Sequence, residues 1–195
     1  MATYKSIRYN VDYQGNAGSL MPLLLFTSDG SDATADFTSK IDSTYKEYLF
    51  IFNDIHPESD GANLTIQAST DGGSSYGLTM TSTYFRALHN EGDSDAGIQY
   101  SVGDDIAQGT GFHEFMNTGN DNDQSGAGWL RLYNPSSTTF VKHFISTTSN
   151  VTNDDYERNI HTAGYFNTTS AIDAVQFKMS SGEIQGGTIG MFGVI

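Results

Sequence analysis

Four patterns in the chain hold residue types that do chemistry elsewhere. Gly73-Ser74-Ser75-Tyr76-Gly77 fits G-x-S-x-G, the spacing that sets a nucleophilic serine on a strained strand-to-helix turn with backbone amides aimed at an oxyanion. Here the serine follows a turn and precedes another extended run, so no helix N-terminus completes the hole and Ser75 reads as a turn residue. Asp121-Asn122-Asp123-Gln124-Ser125-Gly126 matches the opening of a calcium loop, with oxygen side chains at alternate positions and glycine at the bend. Leu132 stands where a bidentate glutamate would close the coordination shell, so a solvated acidic turn is the preferred reading, with a structural cation between subunits as the alternative. The histidines His56, His89, His113, His143 and His161 show neither i,i+4 nor H-x-H spacing, and only His143 and His161 are placed to meet across a sheet. A glycosidase needs two carboxylates held across a sugar, one in an apolar pocket, and among the 23 acidic residues nothing singles out a pair.

No residue is therefore assigned as catalytic, cofactor-binding or metal-ligating. The chain reads as non-enzymatic, with no cofactor expected. Recognition is what remains. Tyr76, Tyr84, Phe85, Tyr100, Tyr156 and Tyr165 offer ring faces for stacking on sugars, and core packing or a subunit interface accounts for the same residues equally well.

The elements that would position these side chains are strands. Gly, Ser, Thr, Asn and Asp punctuate the sequence about every ten residues, a spacing of short strands joined by turns. Tyr45–Ile55 alternates Tyr48, Phe50 and Phe52 against Leu49, Ile51 and Asn53, apolar on both sides and so expected centrally in a sheet. His56–Gly61 reads as a turn, and Asn63–Ser69 as a half-buried strand ending at Asp71-Gly72-Gly73. A hairpin is expected through Leu78–Leu88, then a loop at Asn90–Gly97, a short strand at Ile98–Val102 and an aromatic strand or short helical turn at Phe112–Met116. Trp129–Tyr133 is stopped by Asn134-Pro135, Thr139–Ser146 and His161–Phe166 flank a polar loop at Asn150–Arg158, and Ala174–Met179 precedes a terminal apolar strand at Gly187–Ile195.

Together these predict about eight to ten strands in an all-β, single β-sandwich of jelly-roll type, with sandwich against barrel left open. The expected division is an N-terminal arm or edge-strand region over 1–40 and a sandwich domain over 41–195. Within the first region Tyr4, Ile7, Tyr9, Val11 and Tyr13 recur in alternation, fitting either an edge strand or an arm that reaches a neighbouring subunit.

Composition narrows the partners. With 37% hydrophobic residues and 12% aromatics the chain has the material for a packed core, and with no cysteine it holds no disulfide. A formal net charge of −14 with nine Lys plus Arg repels phosphate backbones, so nucleic acid is not an expected partner. The longest apolar run, Leu20–Phe26, falls far short of the roughly 20 residues of a membrane helix, and no membrane partner is expected. Met-Ala-Thr-Tyr-Lys has no basic stretch leading into an apolar run, which points to a protein made in the cytoplasm.

Several segments carry a family likeness. Y-K-E-Y-L-F-I-F-N-D-I-H-P-E-S-D at Tyr45–Asp60, Q-A-S-T-D-G-G-S at Gln67–Ser74 and L-Y-N-P-S-S-T-T-F at Leu132–Phe140 resemble structural proteins of tailed bacteriophages, especially marine and cyanobacterial ones. So do H-T-A-G-Y-F-N-T-T-S-A-I-D-A-V-Q-F-K-M-S-S-G at His161–Gly182 and G-T-I-G-M-F-G-V-I at Gly187–Ile195, the resemblance covering Tyr45–Ile195. It implies a virion protein made in the host bacterial cytoplasm, placed as capsid decoration or tail appendage, and transfers no residue role. The expected partners are other phage virion proteins and further copies of the chain, a trimer being favoured. The alternative is a fibre-tip module that recognises a host glycan.

Overall fold

A computed structural model describes residues 20–195, and among them every regular element is a β-strand. The strands are β1 (Leu20–Thr27), β2 (Ala35–Phe37), β3 (Glu47–Pro57), β4 (Ala62–Ser69), β5 (Met80–Asn90) and β6 (Ala96–Tyr100), followed by β7 (His113–Thr118), β8 (Gly126–Tyr133), β9 (Lys142–Val151), β10 (Tyr156–Phe166), β11 (Ala174–Met179) and β12 (Ile184–Val194). They form an eight-stranded sheet in the order β1-β12-β3-β8-β9-β10-β5-β6 and a four-stranded sheet in the order β2-β11-β4-β7, antiparallel throughout.

Setting aside β5, β6, β9 and β10 leaves the ribbons β1/β12, β2/β11, β3/β8 and β4/β7, wound into two four-stranded sheets. That winding is a jelly roll, and the sandwich expected from the sequence is the observed fold. The two inserted strand pairs widen one sheet: β9 and β10 follow β8, and β5 and β6 extend the row to its far edge. Within the 1–40 region, β1 and β2 are edge strands of the two sheets, so the sandwich reaches N-terminally past residue 41. The alternation from Tyr4 to Tyr13 lies outside the described residues.

Period-two alternation fills the space between the sheets. Tyr48, Phe50 and Phe52 of β3 are essentially inaccessible and meet Leu64, Ile66 and Ala68 of β4 and Val175 and Phe177 of β11 in one cluster. Phe177 is its hub, with Phe37, Phe50, Phe52 and Phe115 around it at ring-centroid distances of 5.2 to 6.0 Å, mostly edge to face. Such contacts add to the ~2–3 kcal/mol that burying one phenylalanine contributes. The terminal strand docks inside the sheet between β1 and β3, carrying Ile189 and Met191 into the core.

Three local expectations change in the fold. The stretch Leu78–Leu88 is not a hairpin: the chain crosses from β4 to the other sheet, and β5 pairs with β10 and, beyond the turn after Asn90, with β6. The loop at Asn150–Arg158 shrinks to the turn between Val151 and Tyr156, because Ser149, Asn150 and Val151 continue the ladder with β10. The β4 strand is buried on both faces, with Thr65, Gln67 and Ser69 at 2% exposure or less. Its polar side chains are hydrogen-bonded, so burial does not leave them unpaired. Gln67 Nε2 donates to the carbonyls of Leu78, Thr110 and Gly111, and Thr65 Oγ1 donates to that of Lys178.

Candidate functional site

The outer face of the eight-stranded sheet is the surface to which most strands contribute. Register places Leu25, Gly190, Ile51, Trp129, Thr147, His161, Phe85 and Tyr100 side by side, one from each strand of the sheet. The neighbouring row runs Pro22, Phe192, Leu49, Arg131, Ile145, Ala163 and Thr83. Neither row contains a carboxylate, although the whole chain carries 23. Arg131 is the one fixed charge in this belt; its guanidinium lies 5.6 Å from the Trp129 ring centre and is paired with Glu47.

Alternation explains how strands this polar in composition build such a belt. Each strand turns successive residues to opposite faces, so β3 sends Tyr48, Phe50 and Phe52 to the core and Leu49 and Ile51 outward. Small residues then leave hollows between the larger ones. One of about 350 Å³ is lined by Thr81, Thr83, His143, Ile145, Ala163 and Tyr165. A second of about 260 Å³ lies between Leu49, Ile51, Trp129 and Arg131, and a third of about 300 Å³ between Pro22, Leu25, Gly190 and Phe192. Leu25, Phe85, Tyr100 and Ile145 are 42–71% exposed, which for large apolar side chains gathered on one face marks a contact surface.

Beside the first of these hollows the aromatic residues cluster. Phe85 and His161 stack with centroids 5.0 Å apart and planes at 14°, and His143 lies 6.0 Å from Tyr165. His161 is held by Thr147 Oγ1 at 3.1 Å and Asn159 Oδ1 at 2.7 Å. His143 and His161 share this face without meeting. Opposite His143 in the ladder stands Tyr165, four residues from His161, a separation of about 13 Å along the strand.

The other patterns singled out in the sequence are tied into hydrogen bonds of their own surroundings. Ser75 lies in the loop after β4, where its hydroxyl and those of Ser69 and Ser74 surround Asp71; hydrogen bonds from Ser69 and Ser75 hold that carboxyl at about 2. The Asp121–Gly126 stretch is a closed turn: Gln124 N donates to the Asp121 carbonyl at 2.9 Å and the Gln124 side chain is buried. Among the described residues no group of three His, Asp or Glu side chains is placed to hold a metal. His56 Nε2 lies 3.2 Å from the Asp121 carbonyl, and His89 pairs with Asp93 at 3.2 Å. His113 is buried 3.3 Å from Ser82 Oγ, and desolvation pulls its pKa down to about 4.

Of the aromatics offered as sugar platforms, Tyr84 is a core residue. It is 1% exposed, and burial, reinforced by the Asp104 charge, pushes its phenol up to about 12. Tyr76 belongs to the opposite side of the molecule, where its hydroxyl donates to Asp36 Oδ1 at 3.2 Å. Phe85, Tyr100 and Tyr165 share the outer face of the large sheet. Trp129, Ile145 and Phe192, which complete the belt, were absent from the sequence-based candidates; the only signal for them was a second apolar side on strands already assigned to the core.

No family model, curated protein or solved structure matches the chain. No helix among the described residues is long and apolar enough to cross a membrane.

Proposed function

We propose that this protein is a non-enzymatic structural component of a tailed-bacteriophage particle, exposed on the particle surface as capsid decoration or tail appendage and assembled as a symmetric oligomer, a trimer. The carboxylate-free belt across the eight-stranded sheet is the observation that carries this reading. In a chain with a net charge of −14, two adjoining rows without a carboxylate, with Glu47 at their margin paired to Arg131, are where copies or virion partners approach with least repulsion and most apolar area to bury. Its segments' likeness to phage structural proteins supports the same conclusion. So, by analogy only, does the fold, since jelly rolls recur in viral capsid proteins.

Light scattering of the purified chain, together with mass spectrometry and an electron-microscopy map of intact particles, tests the proposal. A trimer in solution and a belt covered by virion protein in the map are expected. A strictly monomeric chain absent from purified particles overturns it.

One observation favours a second reading, a fibre-tip module for host-cell glycans. The hollow beside Phe85, His161 and Tyr165 combines ring faces with the hydroxyls of Thr81 and Thr83, the mixture that sugars require. Glycan arrays and adsorption to host cells separate the two. Binding that disappears in Phe85→Ala and Tyr165→Ala supports recognition, and no binding at high protein concentration leaves particle assembly as the function.

A further inference from the structure

An open sheet edge is a template for another strand, and proteins protect such edges. Three of the four edges here are protected. The β1 edge carries Pro22 and a register shift between Pro22 and Leu24. The β2 edge is three residues long. The β7 edge has a register shift opposite Leu64 and Thr65, and side chains from β9 and β10 engage it: Thr148 Oγ1 donates to the Phe115 carbonyl at 2.9 Å, and Arg158 Nη1 donates to Asn117 Oδ1 at 2.9 Å.

The β6 edge has none of these devices. Ala96-Gly97-Ile98-Gln99-Tyr100 contains no proline and no charge, its ladder with β5 is regular, and every residue in it is exposed. Asn90 N bonds the Asp95 carbonyl and Ser101 N bonds the Tyr84 carbonyl, so the alternate residues Ala96, Ile98 and Tyr100 turn their backbone N–H and C=O groups away from β5. Ile98 is 81% exposed and Tyr100 53%. Acidic residues bracket the strand, Asp93 and Asp95 before it and Asp104 and Asp105 after it. Antiparallel pairing of two β6 strands would bring these clusters together, and that repulsion selects a cationic strand instead.

We infer that the β6 edge accepts Tyr4–Tyr13 from a second copy of this chain as a ninth strand. Tyr4-Lys5-Ser6-Ile7-Arg8-Tyr9-Asn10-Val11-Asp12-Tyr13 has no glycine or proline, alternates Ile7, Tyr9, Val11 and Tyr13 with period two, and sets two of the nine cations of the protein, Lys5 and Arg8, against one carboxylate, Asp12. In that pairing Ile7, Tyr9 and Val11 would extend the apolar belt beyond Ile98 and Tyr100, and Lys5, in step with them, would stand toward the carboxylates at one end of β6. The donor's own β6 is out of reach. Residues 14–19 span at most about 21 Å, whereas the strand spacings from β1 to β6 total about 34 Å along the sheet. Donation from copy to copy is head to tail, an interface that closes into a ring such as the trimer. The inference rests on the assembly reading only in requiring self-association.

The chain has no cysteine, so single introduced cysteines report the contact directly. Full-length Tyr9→Cys and Ile98→Cys proteins are mixed and oxidised, with Tyr9→Cys plus Leu25→Cys as the control on the other open edge. An interchain disulfide formed at least about tenfold faster in the first mixture is the expected result. Equal rates in both mixtures, or a purely intrachain bond in the double variant, overturn the inference. As a second measurement, Ile98→Asp weakens self-association by about tenfold or more without unfolding a side chain that is already exposed. If oligomers survive Ile98→Asp but are lost in Trp129→Ser, the strand exchange is refuted and assembly through the belt stands.

Discussion

On the outside of the small sheet, Asp36, Gln176 and Gln67 stand in one register row, and their polar atoms are bonded to one another or to the loops above them. The outside of the large sheet holds Leu25, Ile51, Trp129, Phe85 and Tyr100 in the corresponding position, with no other strand among the described residues packed over them. Both faces arise from the same alternation of side chains. One is polar and satisfied within the molecule, the other apolar and open. A face that contributes to stability is completed by its own chain, whereas a face that contributes to association is left for another molecule to complete.

This contrast is broken most severely at the layer the two faces share. Phe177→Ala removes the hub of the aromatic cluster and is expected to cost about 4 kcal/mol in urea unfolding, weakening both sheets together. Acid acts next. His113 has a folded pKa of about 4 against about 6.5 for an unburied histidine, so between those values the unfolded chain binds more protons. Its neutral burial therefore contributes fully above pH ~6.5. About 3 kcal/mol of stability is lost as pH falls toward 4, and His113→Leu flattens that part of the urea-midpoint profile.

On the small sheet, Gln67→Ala removes a buried side chain and its hydrogen bonds to the carbonyls of Leu78, Thr110 and Gly111, and is expected to lower stability by about 2 kcal/mol while leaving self-association unchanged. The large sheet should respond in the opposite sense. Trp129→Ser weakens self-association by about tenfold, close to 1.4 kcal/mol, in sedimentation equilibrium, with an unfolding midpoint near that of the parent. Stability lost at Trp129 with association retained would erase the distinction between the faces.

Much of the sandwich was legible before folding. Tyr48, Phe50 and Phe52, and later Val175 and Phe177, alternate strongly enough to name both a strand and its buried side, and Asp60-Gly61 and Ser181-Gly182 place turns where Gly61 and Gly182 take positive φ of 68° and 66°. The crossing from β4 to β5 was not legible, because local pattern records that a strand exists and not which strand lies beside it. Burial of Gln67 was hidden for a similar reason: its partners are carbonyls 11 to 44 residues away.

The sequence by itself determined an all-β chain with an aromatic core and an excess of acidic residues, since period-two patterning and charge are local properties. Only the tertiary structure decided which outward residues stand together. Leu25, Trp129 and Phe85 are far apart along the chain and become one belt solely through the register of eight strands, which is set by non-local pairing. Among the described residues the same pairing leaves β6 as the one unguarded edge of the two sheets, because an edge exists only once the order of strands is known.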